Sequence, residues 1–264
     1  MNRYGIITVV VVAVIATAAC VHIIENPAEK SEPERIGIIG AMNDEVASLK
    51  EAMDKDYTKT IAGMEFFVGK IGKCDVVVVQ CGMGKVNAGT CAQMLITQFN
   101  VKAVINTGVA GSLNNILDIG DFVVSVDAVQ HDFDVSPIGF DKGEIPYTGK
   151  YCFEADANLR AKAVEAITVS NPDVKAHEGR ICSGDQFINT NAQKDEITSN
   201  FGGYCCEMEG AAIAHICYLN ETPFVIIRAI SDKADGSSSM DYDEFEKLAA
   251  QRSAKAVKYM LENM

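Results

Sequence analysis

Four carboxylates stand where an apolar run gives way to something else. In "CCEMEGAAIAH" (205–215), Glu207 and Glu209 flank Met208 at the junction between a cysteine-bearing apolar run and small helix-forming residues. Burying an unpaired carboxylate is costly, so this pair must meet partners. "RAISDKAD" (228–235) ends a second apolar run in Ser231-Asp232, and "IIGAMNDEV" (38–46) sets Glu45 just beyond a Gly-Ala-Met turn. Each acid alone has an ordinary explanation: Asp232 and Asp235 as loop acids, Glu45 and Glu209 as first-turn acids favoured by a helix dipole. Three acids at three strand ends, however, would share one cleft. Such a set does general acid–base work and stabilises a developing cation.

Other chemistries find less support. His131 and His215 are spaced for neither a metal nor a serine triad, and no G-x-S-x-G elbow occurs. "CGMGKVNAG" (81–89) lacks the third glycine of a dinucleotide fingerprint, and valine follows Lys85 where a P-loop has Ser or Thr. It reads as a tight strand-to-helix turn whose glycines let backbone approach something flat or anionic. The nine cysteines show no C-x-x-C spacing, so no metal is expected, and outside Cys20 they read as buried thiols.

The elements that must position these acids alternate. The apolar run 36–40 precedes a helix carrying Val46, Leu49 and Met53, with Asn43 as its N-cap. Runs 65–71 and 74–81 read as a hairpin, and a helix then carries Ala88, Cys91, Leu95 and Ile96. Strands follow over 102–111 and 120–129, then a long loop over 131–150. Helix 154–169, strand 179–188, helix 191–199, strand 203–208, helix 209–219, strand 224–231 and helix 241–263 complete the chain. The last helix places Phe245, Leu248, Ala249, Ala256 and Met260 on one side. Continuous Val/Ile strands alternating with helices predict a single three-layer α/β domain, its mixed and mostly parallel central sheet covered by helices. In such folds ligands lie beyond the carboxyl ends of the strands, where the acids and glycines of this chain gather.

With 36 acids against 23 bases and a net charge of −13, the chain offers no basic patch for a nucleic-acid backbone. Residues 1–24 differ from the rest: Arg3 precedes an uncharged run from Tyr4 to Ile24. That pattern predicts a signal peptide or membrane anchor, with lipid attachment at Cys20 as a further option. The expected location is exported or membrane-anchored, or cytoplasmic if this segment is not a working signal. Residues 25–35, "ENPAEKSEPER", read as a linker, leaving 36–264 as the folded domain.

"IGIIGAMNDEV", "NTGVAGSL", "GDFVVSVDAVQHDFDV", "SGDQFI", "EMEGAAIAH" and "PFVIIRAISDKAD" occur in one order that resembles the 5′-methylthioadenosine/S-adenosylhomocysteine nucleosidases of the nucleoside phosphorylase superfamily. The resemblance implies cleavage of an N-glycosidic bond to give adenine and a thioribose, with no cofactor. By motif, Asp232 would be the acid that protonates adenine, oriented by Ser231, and Glu45 would activate water. Glu209 would accept from the ribose hydroxyls with Met208 against the sugar, while Phe187 stacks on adenine and the Ile188 backbone pairs with its edge. Met83 and Tyr242 would wall the ribose and alkylthio pockets, and Arg228 would tune the acid or contact the water site. Val109 stands where many relatives have serine, so one polar contact near the water would be missing or come from backbone.

The resemblance further implies a homodimer in which one subunit's loop, here Val135, Ile138, Phe140 and Pro146, closes its partner's pocket. A phosphorylase must hold phosphate, for which arginine is suited. No arginine occurs between Arg35 and Arg160, so water is the expected nucleophile. A nucleosidase for another 5′-modified adenosine such as aminodeoxyfutalosine, a phosphorylase, or a surface nucleoside-binding protein or adhesin stand as alternatives.

Overall fold

The structure, a computed structural model, describes residues 33–235 and 242–264, the side chains of 242–244 apart. The expected signal or anchor segment, Cys20, and residues 25–32 of the expected linker lie outside the described residues. Pro33–Met264 forms one compact unit. No helix among the described residues is long and apolar enough to cross a membrane.

Four strands run parallel through the middle: β4 (Cys74–Gln80), β1 (Arg35–Gly40), β5 (Val101–Ser112) and β10 (Phe224–Asp232). Their Val/Ile runs are buried on both faces, as expected of strands covered by helices on each side. On the outer flank, β3 (Met64–Ile71) and β2 (Asp54–Ile61) add antiparallel to β4. On the other, β6 (Phe122–Gln130) pairs antiparallel with β10 and parallel with β8 (Ala176–Ser183). β8 runs parallel to β9 (Cys205–Glu207), which pairs back onto the end of β5, and β7 (Phe153–Glu154) pairs with β6.

The two helical layers bury separate apolar sets. α2 (Lys85–Phe99) and α5 (Gly210–Leu219) cover one face through Ala88, Cys91, Leu95 and Ile213. α1 (Asn43–Ala52), α3 (Ala157–Ser170) and α6 (Tyr242–Glu262) cover the other through Val46, Leu49, Ala163, Ile167 and Val257. α4 (Asn191–Phe201) packs Ile197 and Phe201 with Val129 and Cys182.

Several details depart from the sequence reading. The strand β2 was not foreseen, because "DKDYTKTI" is exposed almost throughout and lacks an apolar alternation. It is a charged edge strand, joined to β3 by a two-residue turn in which Ala62 and Gly63 both take positive φ. β8 stops at Ser183, so 184–188 form a connecting loop rather than a strand end. Gly184 there runs against His131 and Asp132, too close for a side chain. Asp156, not Glu154, begins α3, capping it by accepting from the N–H groups of Asn158 and Leu159. Met42 rather than Asn43 caps α1, with Glu45 reaching back to the Met42 N–H. Leu248 faces outward, and α6 seats alanines instead, Ala249, Ala250, Ala254 and Ala256, whose small size permits close approach to the sheet.

Candidate active site

A cleft opens at the carboxyl ends of the central strands. Each lining segment comes from a strand end: Ala41-Met42-Glu45 after β1, Met83 after β4, Val109-Ala110-Gly111 on β5, Gln186-Phe187-Ile188 after β8, Cys206 to Glu209 at β9, and Arg228, Ser231 and Asp232 on β10. Glu45, Met83, Val109, Phe187, Ile188, Met208, Glu209, Arg228, Ser231 and Asp232, ten of the expected residues, therefore share one cavity. Tyr242 opens α6, but its side chain is outside the described set. Val135, Ile138, Phe140 and Pro146 lie in the 131–150 connection and do not line the cleft of their own chain.

The buried Glu45 carboxylate is held by backbone. Its Oε2 accepts from the N–H groups of Ala41 (2.6 Å) and Met42 (3.0 Å), and its Oε1 from that of Val109 (3.1 Å). Burial pushes its pKa up, against the pull of Arg228 and of those three donors. The Val109 backbone thus helps to hold the Glu45 carboxylate, and Val109 lines the cleft.

Arg228 is fully buried among acceptors. Nη2 donates to Asn106 Oδ1 (2.7 Å) and to Glu207, and lies 3.4 Å from Glu209 Oε2. Nη1 donates to the Val109 carbonyl (3.3 Å) and sits 3.8 Å from Glu45 Oε1. The arginine is therefore directed to the three glutamates, whereas Asp232 is held by others. Asp232 Oδ2 accepts from the Ser231 hydroxyl (2.9 Å) and Oδ1 from the Ala234 N–H (2.7 Å).

Glu209 Oε1 accepts from the Gly84 N–H (2.8 Å). Burial raises its pKa to about 7, with Arg228 and the Gly84 N–H opposing and Glu207 and Glu45 adding to the rise. Gly84 takes a φ of +95°, open to glycine, which turns its N–H into the cleft. Lys85 beside it makes an ion pair with Asp132 (2.5 Å), and its N–H binds Asp185, whose own N–H binds Asp132. The glycine-lysine motif thus fastens the Met83 turn to the loop that carries Phe187 and Ile188.

Sequence reasoning gave Glu207 no place in the site, and missed Gln186 and Cys206 as cleft residues. Asn106 was also missed, although a polar residue in the middle of a mostly apolar strand was available as a signal. The eight described cysteines are free, and burial pushes the thiols of Cys81, Cys182 and Cys206 up. Among the described residues no cluster of His, Cys, Asp and Glu could hold a metal ion.

The family profile described as "Phosphorylase superfamily" matches residues 35–262. The 5′-methylthioadenosine/S-adenosylhomocysteine nucleosidase of Shewanella pealeana is 42% identical over 231 residues, covering 87% of this chain and 100% of that protein. The crystal structure of the Neisseria meningitidis enzyme of the same name, in complex with methylthio-immucillin-A, aligns with a TM-score of 0.84 at 35% identity, covering 88% of this chain and 100% of that one. A futalosine hydrolase of Helicobacter pylori aligns with a TM-score of 0.82 at 34% identity, over 88% of this chain and 98% of that one.

Proposed function

The chain belongs to the phosphorylase superfamily, with the 5′-methylthioadenosine/S-adenosylhomocysteine nucleosidases, and we infer that it hydrolyses the N-glycosidic bond of 5′-methylthioadenosine and S-adenosylhomocysteine to adenine and the thioribose. One observation carries the choice of hydrolysis: among the described residues lining the cleft, four carboxylates, Glu45, Glu207, Glu209 and Asp232, stand against a single cation, Arg228. That cation is already engaged by carboxylates and carbonyls. A phosphate dianion would meet net negative charge here, whereas a sugar cation and a neutral water are well matched to it.

In this reading Asp232, oriented by Ser231, delivers a proton to adenine, which leaves poorly as an anion. The ribosyl carbon becomes cationic as the bond lengthens, and Glu209 and Glu45 stabilise it through the ribose hydroxyls and the water. Glu45 then takes a proton from the water as its oxygen bonds to that carbon. Phe187 stacks on the base, Ile188 backbone pairs with its edge, and Met83, Met208 and Val109 wall the sugar. Tyr242 belongs to the alkylthio end.

A homodimer completes the site. Met83 is 62% and Phe187 56% exposed at the mouth of the cleft, and Ile138 is 72% exposed on the 131–150 loop. Apolar side chains at the edge of a substrate cleft need a cover, and a second copy's Val135, Ile138, Phe140 and Pro146 would supply it. The uncharged Tyr4–Ile24 run supports export or membrane attachment of the domain.

The test is adenine release by the purified protein from both thio-nucleosides with phosphate omitted, over a panel that includes other 5′-modified adenosines. Turnover on the two thio-nucleosides is expected without phosphate. Asp232→Asn should lower kcat by about 10²–10⁴-fold with an unchanged circular dichroism spectrum. A requirement for phosphate, near-normal turnover of that variant, or preference for a futalosine-type nucleoside would each replace this reading.

A further inference from the structure

Glu207 is the one cleft carboxylate without a role in the reaction, yet it has the most donors. Its Oε1 accepts from the Ser183 hydroxyl and the Gly210 N–H (3.0 Å). Its Oε2 accepts from the N–H groups of Glu209 (3.1 Å) and Gly210 (2.8 Å) and from Arg228 Nη2. Ser183 is itself fixed, accepting from the Ala211 N–H (2.7 Å). Glu207 therefore has no lone pair left for a ligand.

Its effect falls on Arg228. The Nη2 nitrogen carries two hydrogens and has three acceptors around it, namely Asn106, Glu207 and Glu209. Asn106 and Glu207 lie nearer and take the two hydrogens, leaving Glu209 as the longest contact at 3.4 Å. With Glu207 absent, the arginine's second hydrogen would turn to Glu209 and close the carboxylate that the sugar needs.

We propose that Glu207 is a positioning residue that occupies Arg228 and so keeps a Glu209 oxygen open to accept from substrate. The proposal rests on the nucleosidase reading for the identity of that substrate. The charged or titratable groups around Glu209 are Glu207 on β9, Arg228 on β10, Glu45 on α1 and Cys81 just beyond β4. Removing the Glu207 charge while bringing Arg228 closer acts on Glu209 in one direction, toward the ionised form.

The experiment is Glu207→Leu, which removes the acceptor as well as the charge, read as a pH profile and a double-mutant cycle with Arg228→Met. The rate at the optimum should fall on the order of 100-fold, as displacement of a reacting group by about 1 Å does. The acid limb of kcat/KM should nevertheless move to lower pH by about half a unit or more. A residue that merely supports the fold would lower the rate and leave the limb in place, and that result overturns the proposal. In the Arg228→Met background, adding Glu207→Leu should cost less than about threefold, because the two act as one unit. Independent, multiplying losses overturn it too.

If the single variant fails to fold, the comparison of Arg228→Met with the double variant still decides. The double variant removes the opposite charges together rather than leaving Arg228 without its nearest anion. An infrared titration of the Glu209 carboxylate in unliganded protein reads the same shift without turnover. Wild-type protein that releases no adenine would thus defeat the nucleosidase reading while leaving Glu207 testable.

Discussion

Glu209 lies 3.4 Å from Arg228 and accepts from the Gly84 N–H, yet burial raises its pKa to about 7. To accept two sugar hydroxyls it must be ionised, so protonation below about pH 7 removes the binding-competent form. We expect kcat/KM to fall close to tenfold per unit as pH drops below about 7, since that ratio reports the free enzyme. Bound hydroxyls donate to the ionised form and favour it, so the limb in kcat should lie at lower pH than the limb in kcat/KM. A kcat/KM that stays flat from pH 8 to pH 5 would remove Glu209 from this role. The sign for stability is opposite. An acid whose folded pKa exceeds its unfolded value holds its proton more tightly when folded, so the contribution of Glu209 to stability is full below its ordinary 4.5 and is lost as pH rises through about 7. Thermal unfolding of unliganded protein at pH 6 and pH 8, compared with Glu209→Gln, measures that term.

At the scale of elements, β5 is the beam on which the site is assembled. Its Asn106 and Val109 hold Arg228, the Val109 N–H holds Glu45, and Gly111 passes beneath Asp232. Gly108 is the tightest point: a Cβ there would fall well inside contact distance of both the Arg228 guanidinium and the Glu45 carboxylate. Neither group is a loose chain end, since both are buried and bound. Gly108→Ala should therefore cost about 1–3 kcal/mol, as overpacking does. It should lower Tm by several degrees and reduce kcat on the order of 100-fold through displaced groups. Wild-type Tm and turnover in that variant would show that the strand can shift to make room. Strand ends were readable from "NTGVAG" and "RAIS" because apolar runs that meet glycine and polar residues announce a boundary. β2 was not readable, because this edge strand is exposed except at Ile61 and leaves no apolar period.

For the whole molecule, the compact unit Pro33–Met264 contains every lining residue of the cleft. The chain from residue 33 onward should therefore fold and release adenine with kcat/KM within about threefold of the full chain; if the Tyr4–Ile24 run is a retained anchor, only the full chain should partition with membranes. Loss of folding on removal of 1–32 would assign that segment a structural role. If the proposed dimer covers the cleft, Ile138→Asp should shift sedimentation toward monomer and raise KM more than it lowers kcat, because a partner loop adds binding at the alkylthio end and no chemistry. Unchanged sedimentation together with an unchanged KM would remove the loop from the pocket.

By itself the sequence determined the layered alternation of strands and helices, the strand ends at which Glu45, Glu209 and Asp232 lie, and the similarity of six ordered motifs. These are local matters, written in apolar period, in glycine and in residue type. Only the tertiary structure decided which carboxylate faces Arg228 and which faces Ser231. It also revealed that Glu207 is spent on protein donors while Glu209 is left open. Those assignments depend on distances between groups more than a hundred residues apart in some cases, such as the Arg228 and Asn106 side chains and the Glu209 carboxylate with the Gly84 N–H. A hydrogen has one direction at a time, so which of several acceptors receives it is fixed by packing in three dimensions and leaves no trace in linear spacing.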